Sequence, residues 1–229
     1  MKEVSFLPVM VQSLTQFESR LILQAVSRFG TQAVSVVPQT LDSYVSLTIS
    51  KCRYLDFKRF LKAPLNDLVG VLRSKSGMDS FQFTKEHVPE GILETVVRKQ
   101  VFCNDYIDSE ERLSETKLPP IVAFYDRIND SHISSTDYEY AEQLWSLCQM
   151  ATLDDYLRHY LTVQSLLFAD VLENFREVMR KDYGLDVLHY FSLPGFCWDA
   201  CLFQSGVTLE LLTCEEMHSV ILNGIRGNK

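Results

Sequence analysis

Short apolar runs separated by polar turns fill the N-terminal quarter of the chain. Residues Val4–Val11 have the length of a strand, and the helical spacing of the apolar positions that follow ends at Gly30. Apolar and polar residues alternate over Ala33–Val37 and Tyr44–Ile49, and Arg53–Phe57 follows closely enough to pair with the second of these runs as a hairpin. This order predicts a strand, a helix and then three further strands.

Helical periodicity dominates the rest of the chain. Pro64 is typical of a helix start, and helical spacing resumes at Thr136 after an irregular region, from about Cys103 to Ser135, that is rich in turn formers and charge. Thr152 suits the N-cap and Gly184 the C-terminal end of one long helix, which at 30 residues would span about 45 Å. Strands followed by helices predict an α/β (α+β) domain with helices packed around a sheet.

The composition is that of a soluble globular protein, with 46% hydrophobic and 23% charged residues. A net charge of -8 argues against a protein that holds nucleic acid by neutralising phosphates over its whole surface. Small groups of basic residues at 51–53, 58–62 and 98–99 keep a local basic groove as one possibility, although such groups are usually part of a solvated face.

The six cysteines indicate a reduced, intracellular chain. They contain no Cys-x-x-Cys pair, and the spacing of Cys197 and Cys201, four residues apart in an apolar segment, does not favour a zinc site. No apolar run reaches the roughly 18 residues that a membrane span needs, so we expect a soluble protein with no membrane partner.

Several segments, taken in order, resemble one family. They are LTQFESRLI (14–22), RYLDFKRFLKAPLNDLV (53–69), IDSEERLSETKLPPIVAFYDRI (107–128), DYEYAEQLW (137–145), the run from Tyr160 to Leu202, GVTLELLT (206–213) and GIRGN (224–228). Together they are similar to the protein-primed family B DNA polymerases of viruses, linear plasmids and Polinton-type transposons. The resemblance covers nearly the whole chain.

The resemblance implies an RNase H-like 3′-5′ exonuclease fold, with a mixed sheet flanked by helices. It assigns residues 1–190 to the exonuclease-like domain and 191–229 to the segment that leads to the polymerase palm. The palm itself and the first strand of the sheet are expected to be missing, so no DNA synthesis is expected from this chain alone.

In the family, exonuclease chemistry uses two Mg²⁺ or Mn²⁺ ions held by carboxylates from three motifs. The first motif, Asp-x-Glu, has no counterpart here. In the second, Ser13 stands for the family's Asn and Glu18 for its Asp; in the third, Tyr160 is kept and Gln164 replaces the Asp. Glu18 and Tyr160 are therefore the catalytic candidates, Glu18 is the one metal-ligand candidate, and we expect weak metal binding and little or no hydrolysis.

Each retained residue also has a structural interpretation. Glu18 is suited to interact with the positive end of a helix, and Tyr160 to pack at the edge of the core. Asp170, six residues beyond Gln164, is on a different helical face and is not expected to replace the lost carboxylate. Arg226 and Gly227 match the family's linker and are the candidate DNA contacts outside the exonuclease groove.

Three interpretations stay open at this point. The chain could be an inactive fragment of a DNA polymerase of this type, with DNA replication as its inherited role. It could instead be a non-catalytic module that binds single-stranded DNA or another partner, or a working nuclease with metal ligands that the motifs do not reveal. The sequence does not fix the oligomeric state.

Overall fold

The computed structural model describes residues 6–14, 16–28, 33–40, 44–210 and 212–224. Within them the chain forms four strands and eight α-helices. The strands are β1 (Leu7–Val11), β2 (Val34–Pro38), β3 (Tyr44–Ile49) and β4 (Cys52–Asp56). The helices are α1 (Gln16–Arg28), α2 (Leu65–Ser76), α3 (Gln82–His87), α4 (Glu90–Val96), α5 (Ser135–Leu147), α6 (Leu153–Tyr183), α7 (Leu193–Ser205) and α8 (Glu215–Gly224).

The strands form one mixed sheet in the order β1-β4-β3-β2. Strand β1 is parallel to β4, whereas β2, β3 and β4 are joined in sequence as antiparallel neighbours. The four predicted strands and the β3–β4 hairpin are confirmed over the described residues, whereas Val4 and Ser5 of the first predicted strand and the predicted helix end at Gly30 lie outside them. Helix α1 follows β1 as expected and contacts β3. The coarse prediction of a mixed sheet flanked by helices is therefore confirmed.

Helix α6 is the longest element of the described chain, with 31 residues. It begins with a capping box, in which Thr152 and Asp155 each accept a hydrogen bond from the other's backbone N–H, and it ends at Gly184 in the left-handed conformation with φ 71°. Both predicted ends are confirmed. Its buried face, which includes Val163, Leu167 and Val171, packs into the main hydrophobic core with α2 and α3.

The irregular region between α4 and α5 is held to α6 by specific contacts. It contains three short 3₁₀ helices, Asn104–Tyr106, Glu110–Ser114 and Ile121–Phe124. Arg112 donates to both Tyr106 and Glu115, and the backbone carbonyl of Glu115 accepts the N–H of Leu153 at 2.8 Å. The predicted lack of long elements is confirmed, and the region is nevertheless fixed against the start of the long helix.

A buried carboxylate joins α6 to α3, a short helix that the sequence pattern does not predict. The side chain of Asp170 is 1% exposed and accepts the backbone N–H groups of Phe83 and Thr84 at 2.8 and 3.1 Å. It also accepts the Thr84 hydroxyl at 2.6 Å. Because the first N–H groups of a helix have no partner within the helix, Asp170 caps α3 from a neighbouring element.

None of the described helices combines the length and the apolarity that crossing a membrane requires. Helix α6 is long enough, but acidic and basic residues occur along it from Asp154 to Asp182.

Replacing the buried cap should destabilise the protein. We expect Asp170→Ala to lower the free energy of unfolding by about 3 kcal/mol, because it leaves two backbone N–H groups and a hydroxyl without their acceptor. Asp170→Asn keeps one oxygen acceptor, so we expect it to lower the free energy of unfolding by roughly half as much as Asp170→Ala does. Urea unfolding checks both values against Glu177→Ala, an exposed acidic residue of the same helix. An Asp170→Ala protein as stable as this control would contradict the capping role.

Candidate functional site

Tyr160 and Gln164 line one cavity of about 540 Å³ between α6 and the connection from β4 to α2. The opposite side of the cavity is formed by Lys58, Lys62 and Asn66. Tyr160 and Gln164, four residues apart on α6, thus lie on one face of that helix. We call this space the lysine cavity, after Lys58 and Lys62.

The local fold explains why the lysines face solvent there. Asp56, at the end of β4, accepts the backbone N–H of Lys58 at 2.8 Å and so caps the 3₁₀ turn Phe57–Arg59. The turn directs Phe57 into the core, where its ring meets Phe168 of α6 edge-to-face with centroids 4.9 Å apart. Lys58 is left exposed at the cavity.

The charge of the lysine cavity is positive. No carboxylate is among its lining residues in the part of the chain that the structure describes, and Lys58 and Lys62 form no ion pair there. The side-chain amides of Gln12, Asn66 and Gln164 supply both donors and acceptors. Two ammonium groups with three amides form a set that suits an anion.

Tyr160 contributes a hydroxyl that remains protonated at neutral pH. Burial raises the pKa of its phenol, and a side-chain hydrogen bond with Gln164 opposes that shift. The ring stacks on Phe102 with centroids 5.2 Å apart and an interplanar angle of 28°. This contact fixes the ring, so that the O–H is a positioned donor beside the lysines.

The residues of the second motif, Ser13 and Glu18, lie outside the lysine cavity. Glu18 is in the first turn of α1, where a carboxylate stabilises the positive helix end, and it does not line the lysine cavity. Ser13 precedes that helix, and its hydroxyl oxygen is buried without a hydrogen-bond partner among the described residues. Arg226 and Gly227 lie outside the described residues.

Asp170 is separated from the lysine cavity, as its helical position predicts. Desolvation by burial raises the pKa of its carboxyl, and the hydrogen bonds from Thr84 and Phe83 oppose the shift. Since it caps α3 and does not line the lysine cavity, Asp170 is not placed to replace a carboxylate at position 164.

The donor set of the lysine cavity does not fit the Mg²⁺ or Mn²⁺ that the family resemblance implies. Hard divalent ions need carboxylate or other oxygen ligands, and two adjacent ammonium groups repel them. Over the described ranges no group of three or more His, Cys, Asp or Glu residues is arranged to hold a metal ion.

The sequence leaves two interpretations of the basic group at 58–62, a local basic groove or a solvated face, and the fold places Lys58 and Lys62, both exposed, at the lysine cavity. A second cavity of about 470 Å³ lies between the segments around Phe102 and Tyr125, and Tyr160 lines it as well. Only the folded irregular region creates that cavity, so no local motif could have revealed it.

Comparison with known proteins gives no relative for this chain. No family model matches it, and no curated protein and no solved structure is significantly similar to it.

Proposed function

We propose that this chain is an RNase H-like, exonuclease-type domain of the protein-primed family B DNA polymerase kind, and that it holds single-stranded DNA without hydrolysing it. The order of the motif-like segments from residue 14 to residue 228 supports the family assignment. The mixed sheet flanked by helices is compatible with an RNase H-like arrangement. On this proposal residues 1–190 form the exonuclease-like unit and 191–229 lead toward a palm.

One observation carries the functional part of the proposal. The cavity at the third motif, around Tyr160 and Gln164, contains Lys58 and Lys62 and no carboxylate among the described residues. A phosphodiester is an anion, and ammonium groups, amides and a protonated phenol can bind it directly. The same set gives no means of activating water with a metal ion. Binding without cleavage follows from this chemistry.

The proposed mechanism of binding is local. The overall charge of -8 repels DNA at long range, so that affinity has to come from the cavity and from stacking on nearby aromatic rings. Lys58 and Lys62 neutralise one or two phosphates, Gln164 and Asn66 hydrogen-bond their oxygens, and Tyr160 donates its O–H. A working nuclease is the less favoured function, because it would need carboxylates at this position.

Binding to single-stranded DNA should depend on the two lysines and on salt. We expect Lys58→Gln/Lys62→Gln to weaken binding of a labelled oligo-dT about tenfold and to reduce the slope of log K against log salt by about 1.4 in magnitude, since each phosphate contact contributes roughly 0.7 for a single strand. Fluorescence anisotropy over a salt series measures both quantities.

The matched control for that experiment removes the same charge elsewhere. Lys75→Gln/Lys117→Gln alters two exposed lysines, neither of which lines the lysine cavity. It should leave affinity and salt slope close to those of the natural chain. Equal losses in the two double variants would show that binding depends on net charge alone, and that the lysine cavity is not the site.

The chain should release no nucleotide from a 3′-labelled single strand, in Mg²⁺ or in Mn²⁺. Glu18→Ala should behave identically, since Glu18 does not line the lysine cavity. A time course on a denaturing gel is the measurement. Metal-dependent release that disappears in Glu18→Ala would refute binding without cleavage and restore Glu18 as a metal ligand.

A further inference from the structure

The second cavity adjoins the lysine cavity through a shared wall. Tyr160 lines both spaces, and the second is also lined by Phe102, Phe124, Tyr125 and His132. We call it the aromatic cavity. A volume of about 470 Å³ exceeds what one nucleobase occupies, so the space can take a base and its ordered water.

Two aromatic pairs line the aromatic cavity. Phe102 stacks on Tyr160 at 5.2 Å, and Tyr125 lies against His132 at 4.9 Å. Phe102 is also supported by Tyr156, with centroids 5.6 Å apart. Tyr156 is 1% exposed and donates its O–H to the carbonyl of Val101 at 2.7 Å, so that the Phe102 surface is rigid.

The loop that carries the other pair is also fixed. Asp126 and Ser131 exchange two backbone hydrogen bonds, at 2.8 and 3.1 Å, which close the loop between Tyr125 and His132. The N–H of Arg127 donates to the carboxylate of Asp105 at 2.8 Å and ties this loop to the segment that follows Phe102. The cavity is therefore formed before a ligand arrives, which lowers the entropy cost of binding.

The charge of the aromatic cavity selects against phosphate. Asp105, Asp126 and Asp137 line it, and Lys99 is the basic residue that opposes them. The carboxylate of Asp137 forms ion pairs with the Lys99 ammonium at 3.4 Å and with the Arg98 guanidinium at 2.8 Å. Lys99 is therefore already paired. A phosphate would be repelled here, whereas an uncharged flat ring with polar edges could stack and hydrogen-bond to Asn104 or Ser134.

We propose that the aromatic cavity takes one nucleobase of a single strand whose adjacent phosphate lies in the lysine cavity. This inference rests on the proposed function and adds a subsite for a base to the proposed site for a phosphate. Tyr160 lies at the boundary between the two cavities. The sugar-phosphate backbone of the strand would lie in the lysine cavity, and the base would lie in the aromatic cavity. Stacking on aromatic rings tolerates any base, so binding is not specific for sequence.

The test uses oligo-dT strands that carry a single 2-aminopurine at successive positions from the 3′ end. The full-length chain should quench the fluorescence strongly at one position, where the base enters the aromatic cavity. Tyr125→Ser/His132→Ser should abolish that quenching and weaken binding about tenfold, whereas Tyr125→Phe should retain it. Trp198→Ser removes an exposed aromatic residue that lines neither cavity and serves as the matched control.

Each result decides between the subsite and the broader function. Position-specific quenching that the double variant loses, together with weaker binding of a strand lacking that base, supports the subsite. Salt-dependent binding that is unchanged in the double variant and unchanged by an abasic position overturns the subsite and leaves the proposed function intact. No binding of any strand by the folded natural chain overturns both.

Discussion

The packing of helix α6 against α2, α3 and the irregular region is the constraint on which the other features depend. One face of the helix, with Val163, Leu167 and Val171, fills the main core. Asp170 extends that face by capping α3, and the start of the helix holds the irregular region through Leu153. The remaining face, with Tyr160 and Gln164, is thereby held opposite the lysines of the β4–α2 connection. Tyr160 of this helix lines both cavities, and the irregular region forms the rest of the second one.

The two cavities differ in the charge of the residues that line them. The lysine cavity combines Lys58 and Lys62 with amides, and the aromatic cavity combines Asp105 and Asp126 with aromatic rings. Opposite charge on the two sides of Tyr160 would attract an anionic group to one side and repel it from the other. The negative net charge of the whole chain makes this local pattern more important, because non-specific attraction to nucleic acid is small.

The sequence predicts those elements whose signals are local. Strand β3 lies at Tyr44–Ile49 as its alternation indicates, and α6 begins after Thr152 and ends before Gly184. Helix α3 has six residues and depends on a carboxylate 87 positions from Phe83, so no nearby pattern marks it. The face shared by Tyr160 and Gln164 follows from helical spacing, whereas its lysines come from a distant segment that only the fold brings near. The family assignment and the DNA partner stay predictions.

Helix α6 carries both residues that stabilise the fold and residues that line a cavity, and this has an evolutionary consequence. Residues that stabilise the fold, such as Val163 and Asp170, alternate around the helix with residues that face a solvent-filled space, such as Gln164. A substitution at position 164 changes the chemistry of a cavity while the core and the cap of α3 remain in place. Selection on folding therefore constrains position 164 less than it constrains the buried positions of α6. The side chain at that position can change, and with it the ligand of the cavity, while the scaffold that presents it persists.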